Sequence, residues 1–320
     1  MDQFVDTYIR EIVEVASIDL GNSLDVSSTR WLRSPNEELL PEDSDLVFQI
    51  DGVRGHDDVV LLVSSVGFPN TVGEALEKAA QVGMQVDVEV GAHISTPLYQ
   101  GSYGARTYAV FKKIDHVSEN RFVRLVEKSI LTPAIVSWCQ SLSSQTANFH
   151  HEGSSYQTYF EDPLRVLIND EKPPKRIRDF AARRLDDLTG QKGEMFTVVE
   201  HGDLWIGNVL FDRPNQWNVF ASGQNFSVID WGGALTDGYP CMDVIRFLMS
   251  TQKSVSGRSI ALLDKYQETL GISNYDCSTY AMLSIGRLVQ NFEYMPPSRF
   301  VSLCETTFKF LLDSGRIEEP

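Results

Sequence analysis

The sequence has few cysteines and little positive charge, and each scarcity excludes a class of protein. Only four cysteines occur in 320 residues, at positions 139, 241, 277 and 304, and none forms a C-x-x-C pair. This spacing excludes a disulfide framework and a clustered zinc site, so we expect buried or incidental thiols. The 28 basic residues are outnumbered by 44 acidic ones, which gives a net charge of −16. That excess argues against a nucleic-acid partner and permits a cationic one.

Long apolar runs are also missing. No stretch approaches the roughly 18 apolar residues that a membrane span needs. The N-terminus, MDQFVDTYIREIVEVASIDL, is acidic and has no apolar core followed by a cleavage site, so it is not a secretory signal. We therefore expect no membrane contact and a cytoplasmic location. The remaining composition, 42% hydrophobic and 22% charged, is ordinary for a folded protein.

The first third of the chain predicts an antiparallel sheet with one or two helices. Apolar residues between positions 5 and 16 recur every three or four residues, which indicates an amphipathic helix. Three short β-rich runs follow, TRWLR, DLVFQIDG and DDVVLLVSS, and then a helix-like stretch, TVGEALEKAAQVG. The segment TPLYQGSYGARTYAVFKKID is typical of a hairpin with a Gly-containing turn.

Beyond Asp115 the pattern changes to helical spacing. It covers residues 121–130, 133–151 and 172–190 and most of the chain after Asp243. The expected class is therefore α+β, with one unit over residues 1–115 and a second over 116–320. Six basic residues lie between positions 172 and 184, but aspartates interleave with them, which favours a solvated helix face.

Two stretches carry the chemistry of this sequence, HGDLWIGN (201–208) and IDWGG (229–233). Two β-rich runs, NVLF and FSVID, predict a hairpin that brings Asp203, Asn208 and Asp230 together. Phosphoryl transfer from ATP needs one carboxylate to orient a hydroxyl and accept its proton. It also needs oxygen ligands for magnesium, which an amide and a second carboxylate can supply. H-x-D-x-x-x-x-N followed by D-x-G is the kinase pattern for these roles.

The details of this pattern resemble the aminoglycoside phosphotransferases and choline kinases. His-Gly-Asp replaces the His-Arg-Asp of protein kinases, Asp-Trp-Gly replaces Asp-Phe-Gly, and Asp243 follows a short Gly-Pro loop. The resemblance implies a bilobal protein-kinase-like fold, with a small antiparallel-sheet N-terminal lobe, a hinge near 107–115 and a larger, mostly helical C-terminal lobe. It implies ATP or GTP and Mg²⁺ as cofactors. The implied acceptor is a hydroxyl of a small molecule such as an aminoglycoside, a choline-like compound or another metabolite.

The resemblance also suggests residue roles. Asp203 is the expected catalytic residue, and Asn208 and Asp230 are the expected metal ligands. The nucleotide would contact these two ligands and the hinge strand, at Phe111, Lys112 and Lys113. His201 and Asp243 would support the loop, and Trp231 would pack. Trp205 has the same packing interpretation, with the acceptor pocket as the alternative.

The acceptor itself is expected to be small. Only seven residues separate Gly232 from Pro240, too few for a segment that displays a protein substrate. The helical region 244–320 would build the acceptor wall, with candidates Asp276, Glu293 and Tyr294.

Two expected parts of a kinase site are missing. DDVVLLVSS has no lysine to contact the phosphates and pair with a helix glutamate, for which Glu74 and Glu77 are candidates. No glycine lies in SSTRWLRSPNEEL, where a nucleotide-covering loop is expected. Candidate substitutes for the lysine are Arg30, Arg33 and Arg54. The alternative function is that of a catalytically silent kinase-like nucleotide-binding protein.

Two further alternatives are weaker. One takes GSYG as the glycine loop and YAVFKKI as the lysine strand. It leaves eight residues between Gly104 and Lys113 and turns the helical 131–151 segment into strands. The other is a metal-dependent phosphoesterase, because HGD and Asn208 superficially fit a His/Asp/Asn metal centre. The sequence lacks the Gly-Asn-His run expected for such an enzyme.

Overall fold

A five-stranded sheet forms the N-terminal part of the molecule. The computed structural model describes residues 3–21, 23–33, 45–53, 56–151, 153–190, 194–211, 226–290 and 297–318. Its first strands are β1 (Arg30–Arg33), β2 (Leu46–Ile50), β3 (Val59–Val63), β4 (Tyr99–Tyr103) and β5 (Arg106–Lys112). They pair antiparallel in the order β1-β2-β3-β5-β4. The predicted β-rich runs are thereby confirmed. Gly101, Ser102 and Tyr103 belong to β4, and Gly104 lies in the turn to β5. The alternative that made YAVFKKI the third, lysine-bearing strand is wrong, because that run is the fifth strand and most of 131–151 is helical.

Helices cover both faces of this sheet. The buried stripe of α1 (Gln3–Asp19) packs against one face, where Phe48, Leu61 and Val110 join its cluster. Helix α2 (Thr71–Gly83) lies on the other face, because the Gly73 amide donates to Thr107 Oγ1 at 3.1 Å. Side chains alternate along a strand. The α2 face therefore also carries the following residues: Val60, Leu62, Ala109 and Phe111.

The chain after β5 is mostly helical, as expected. The longer helices of this part are α4 (Arg121–Thr146), α6 (Asp162–Asn169), α7 (Lys175–Gly190), α8 (Met242–Thr251), α9 (Gly257–Leu270), α10 (Asn274–Gln290) and α11 (Pro297–Asp313). Two short helices are α3 (Val88–Gly91), which precedes β4, and α5 (Ser154–Tyr156), which follows β6. Two predicted helical runs are one helix, α4, with Pro133 inside it. The predicted helical continuation to residue 151 is wrong, because β6 (Asn148–His150) pairs with the next strand, β7 (Met195–Glu200).

Two small sheets place the His-Gly-Asp loop and the Asp-Trp-Gly loop side by side. Strand β7 lies between β6 and β10 (Leu235–Gly238) and leads directly into His201. Strands β8 (Val209–Phe211) and β9 (Phe226–Val228) form the predicted hairpin. The hairpin continues as a hydrogen bond from the Ile229 amide to the Asn208 carbonyl at 3.0 Å. The ends of both motif stretches are therefore adjacent.

The structure shows the state of the cysteines, the character of the helices and the partners of the basic residues between 172 and 184. All four cysteines are free and buried, and burial raises the pKa of the Cys139 thiol. Within the ranges described above, no helix combines the length and apolar character that crossing a membrane requires. Between residues 172 and 184, Lys172 pairs with Asp170 at 3.0 Å and Lys175 with Asp179 at 2.6 Å. Arg184 pairs with Asp187 at 3.7 Å and also stacks on the Tyr275 ring, with its guanidinium carbon 3.7 Å from the ring centroid.

The contact between α6 and α10 depends on Gly286. A Cβ atom at this position would lie 2.2 Å from the Pro163 carbonyl oxygen, which is backbone and cannot rotate away. We expect Gly286→Ala to lower the free energy of unfolding by about 1 to 3 kcal/mol through overpacking. The matched control is Gly83→Ala at the end of α2, where a Cβ would meet nothing within 4 Å. Urea unfolding of both variants measures the difference, and equal stability would contradict the close packing.

Candidate active site

The loop between β7 and β8 carries the His-Gly-Asp sequence, and its glycine is required by geometry. Gly202 has a φ of +78°, a conformation that side chains rarely adopt. A Cβ atom there would also lie 2.5 Å from the Gly233 carbonyl oxygen. The catalytic-loop backbone therefore touches the backbone of the Asp-Trp-Gly loop. An arginine, as in the protein-kinase sequence, does not fit between the two loops.

One helix anchors this loop through side chains on a single face. Asp243 in the first turn of α8 accepts hydrogen bonds from the amides of His201 at 2.6 Å and Gly202 at 3.1 Å. One turn later, Arg246 donates to the Gly202 carbonyl and forms an ion pair with the Asp203 carboxylate. One further turn on, Ser250 Oγ accepts from the Ile206 amide at 2.9 Å.

The spacing of these helix residues explains their shared role. Positions i, i+3 and i+7 lie on one face of an α-helix. Sequence analysis identified Asp243 but missed Arg246 and Ser250. Counting helical turns forward from Asp243 is the signal that would have found both. Arg246 holds one oxygen of the Asp203 side chain, which is 44% exposed and thus open to solvent.

His201 supports the loop from its interior. Its Nδ1 accepts from the Asp203 amide at 3.3 Å, and its Nε2 lies 2.9 Å from the Ile229 carbonyl, to which it donates. The buried ring packs against Trp231, with 4.6 Å between ring centroids. Both ring nitrogens are thus used, so neither is available as a metal ligand. Among the described residues, no cluster of three histidine, cysteine, aspartate or glutamate side chains could hold a metal ion. This removes support from the phosphoesterase alternative.

The backbones of Asn208 and Asp230 are neighbours at the open end of the β8–β9 hairpin, where the Ile229 amide donates to the Asn208 carbonyl. Asn208 Nδ2 donates to the Asp203 carbonyl at 2.9 Å, which leaves its Oδ1 as the atom that can bind a cation. Asp230 has φ 65° and ψ 59°, a left-handed conformation that costs energy in a non-glycine residue and often marks a functional site. An amide oxygen and a carboxylate are hard donors that suit Mg²⁺, which takes its other ligands from phosphates and water. The donors fit a magnesium–nucleotide complex.

A second carboxylate is buried behind the catalytic loop. Glu200 accepts from the Tyr239 amide at 2.9 Å and occupies the space above Gly238, where a Cβ would lie 2.3 Å from Glu200 Cβ. Burial, together with the neighbouring Asp243 charge, raises the pKa of Glu200 to about 8. Burial also raises the pKa of Asp243, while His201 and the amide bonds oppose the rise.

The hinge candidates lie at the end of β5. Phe111 pairs with Val60 across the sheet and is half-buried. Lys112 forms an ion pair with Asp57 at 2.9 Å. Lys113 approaches Asp115 at 3.6 Å. The structure therefore gives the two lysines acidic neighbours at the surface.

The other sequence candidates are more scattered. Arg30 pairs with Asp51 at 3.0 Å, the Arg33 side chain and Arg54 lie outside the described residues, and Glu74 and Glu77 are exposed on α2. Asp276 accepts from the Ser273 amide at 3.1 Å and so caps α10 locally.

The candidate acceptor wall is described only in part. Glu293 and Tyr294 lie outside the described residues. Trp231 is buried, as the packing interpretation requires. Trp205 is 46% exposed and covers Gly207, where a Cβ would lie 2.2 Å from its ring.

The raised pKa of Glu200 predicts a pH-dependent stability. The folded state keeps a proton on Glu200 up to about pH 8, whereas the unfolded chain releases it near pH 4.5. Between these values a rise in pH lowers the free energy of unfolding, because the folded state keeps a proton that the unfolded chain has released. Glu200→Gln should therefore lose stability less steeply between pH 5 and about 8 than the parent protein does.

Chemical denaturation across that pH range measures the effect. Glu268→Gln, a change at an exposed position of α9, is the matched control and should follow the parent. Parallel stability curves for Glu200→Gln and the parent would contradict a buried, protonated Glu200.

Known structures share the fold of this chain. A thermostable mutant of the aminoglycoside phosphotransferase APH(4)-Ia superposes with a TM-score of 0.54 at 16% identity, covering 91% of this chain and 97% of that one. An ethanolamine kinase from Plasmodium vivax gives 0.57 at 10% identity, with 99% and 91% covered. The GDP complex of aminoglycoside 2′-phosphotransferase-IIIa gives 0.52 at 12% identity, with 96% and 98% covered. These likenesses confirm the bilobal, protein-kinase-like fold expected from the motif.

Sequence comparison identifies the family. No curated protein matches the chain. The sequence model of the ecdysteroid kinase-like family matches residues 105–274, which include β5, the His-Gly-Asp loop, the Asp-Trp-Gly loop and helix α8. That match covers more than half of the 320 residues. The chain therefore belongs to the ecdysteroid kinase-like family, whose fold is that of small-molecule phosphotransferases.

Proposed function

We propose that this protein transfers the γ-phosphoryl group of ATP or GTP, with Mg²⁺, to a hydroxyl of a small molecule. The observation that supports this most directly is the convergence of Asp203, Asn208 and Asp230. Asn208 bonds to the backbone of Asp203, and the β8–β9 hairpin places it beside the Asp230 loop. One side chain can then act on a hydroxyl while the other two hold a cation.

Each residue has a chemical task in this proposal. Asp203 orients the acceptor hydroxyl and takes its proton on the carboxylate oxygen that Arg246 does not occupy. Asn208 Oδ1 and the Asp230 carboxylate would hold Mg²⁺, which neutralises phosphate charge when bound. His201 and Asp243 keep the loop in position. Phe111, Lys112 and Lys113 lie on the strand that leads to the proposed hinge.

The proposed acceptor is small. The chain runs from the Asp-Trp-Gly loop through the four residues of β10 to α8, with no long segment that could present a protein substrate. Trp205, exposed two residues after Asp203, offers an apolar surface for the acceptor. The related folds belong to proteins described as aminoglycoside and ethanolamine kinases. The acidic excess of this chain is compatible with such cationic acceptors.

We also propose the expected organisation and location. The two lobes would comprise residues 1–115 and 116–320, with the nucleotide between them. The four buried, free thiols are compatible with a reducing cytoplasm.

A second candidate function is that of a nucleotide-binding protein without catalysis. Strand β3 offers only Val60 and Leu62 on the face that a phosphate-contacting lysine would occupy. This specific observation keeps the alternative open. The two functions differ in one outcome, because a silent protein binds nucleotide and transfers nothing.

Asp203→Asn should abolish most phosphoryl transfer. Removing a general base costs about 10²- to 10⁴-fold in rate. The assay incubates the protein with ATP, Mg²⁺ and a metabolite library that includes aminoglycosides and amino alcohols, and detects phosphorylated products. Asp179→Asn is the control, because Asp179 forms only a surface ion pair on α7. Equal turnover by Asp203→Asn and the parent would exclude the mechanism. Nucleotide binding without product from the parent would favour the silent protein.

Arg246→Met should lower kcat and leave the KM for ATP unchanged. Arg246 contacts Asp203 and the Gly202 carbonyl, so it acts by positioning the carboxylate. Misplacing a reacting group can cost about 100-fold in rate. Arg246→Lys keeps the charge and should recover part of the loss. A change confined to KM for ATP would contradict this role.

A further inference from the structure

The face of the sheet that looks toward α2 lacks the expected cation. Val59, Leu61 and Val63 belong to the cluster beneath α1, so Val60 and Leu62 point to the opposite face. Helix α2 covers that same face through the bond between Gly73 and Thr107. A kinase lysine on β3 would point from here toward the phosphates. In this chain Leu62 fills such a position.

The same helix carries a lysine directed at the metal loop. Lys78 Nζ, in the middle of α2, donates to the Gly232 carbonyl oxygen at 2.5 Å. Ala75, one turn earlier, also lies close to Gly232, since a Cβ built on Gly232 would be 3.9 Å from Ala75 Cβ. That Cβ position is also 3.8 Å from Asp230 Oδ1. The ammonium group and the expected metal ligand therefore converge on Gly232.

The charge of Lys78 is incompletely matched. An ammonium has three donors, and the Gly232 carbonyl uses one of them. Among the residues that the structure describes, no carboxylate lies within ion-pair distance of Nζ. Within the described ranges, the partner of Nζ is the neutral Gly232 carbonyl, and the remaining donors of the ammonium can bind an anion.

We propose that Lys78 contacts the nucleotide phosphates and so replaces, from α2, the lysine missing from β3. The inference rests on the proposed function, since it needs a nucleotide held by Asn208 and Asp230. Binding uses the two remaining donors of Nζ, while the bond to Gly232 keeps the long side chain extended over the metal loop. Lys78 on α2 then supplies the positive charge that β3 lacks. The missing β3 lysine would no longer argue for a nucleotide-binding protein without catalysis.

Binding of adenosine, ADP and ATP with Mg²⁺ tests the proposal by calorimetry. Lys78→Met keeps the apolar stem of the side chain and removes the charge. We expect it to weaken ADP and ATP binding by about 10- to 100-fold, the equivalent of one charge-assisted hydrogen bond. Adenosine has no phosphate, so its affinity should stay within about twofold. Lys78→Arg should restore part of the ATP affinity.

Controls separate the possible failures. Lys309→Met removes a helix lysine that pairs with Asp313 on α11, and it should bind all three ligands like the parent. An equal loss for adenosine and ATP in Lys78→Met would assign Lys78 to structure alone and overturn the proposal. Unchanged ATP binding would do the same while leaving the proposed function intact. Failure of the parent protein to bind ATP would overturn both. If Lys78→Met does not fold, the selectivity of Lys78→Arg and of Lys78→Gln for phosphates decides.

Discussion

Two backbone amides that share one buried carboxylate hold the catalytic loop against the helical lobe. The amides of His201 and Gly202 donate hydrogen bonds to Asp243 at 2.6 and 3.1 Å. These bonds offset the free-energy cost of removing the carboxylate from water. These bonds fix the loop at the point where Gly202 has a positive φ. The position of the next residue, Asp203, depends on these two hydrogen bonds to Asp243. Hydrogen bonds from one helix thus hold the loop at three points, Gly202, His201 and Ile206.

Asn208 and Asp230 are held in place by a hairpin and by backbone conformation, not by helix α8. A short hairpin sets Asn208 beside the Asp230 loop, and Asp230 itself adopts a left-handed conformation. Close backbone contact at Gly202 and Gly233 leaves no room for side chains between the two loops. Helix α2 completes this side through Lys78. Helix α8 therefore supports Asp203, the β8–β9 hairpin supports Asn208 and Asp230, and helix α2 carries Lys78.

The sequence predicted the fold well, because strands, turns and helices depend on local pattern, whereas the roles of Asp203, Asn208 and Asp230 stay predictions. Short β-rich runs identified β2 and β3, and a Gly-containing turn identified the β4–β5 hairpin. The sequence prediction of a helix through His150 was wrong, because this segment pairs with β7 as a strand despite its helix-like pattern. Arg246 and Lys78 were missed because both act across long separations in sequence. Their targets, Asp203 and Gly232, became neighbours only through tertiary packing.

The dependence of ATP affinity on magnesium measures the proposed site most directly. Calorimetry would compare ATP binding in Mg²⁺ and in EDTA, for the parent protein and for Asp230→Asn. If Asn208 and Asp230 hold the cation beneath the phosphates, Mg²⁺ should tighten ATP binding in the parent, and Asp230→Asn should lose most of that gain. Equal ATP affinity with and without Mg²⁺ in the parent would contradict the site described here.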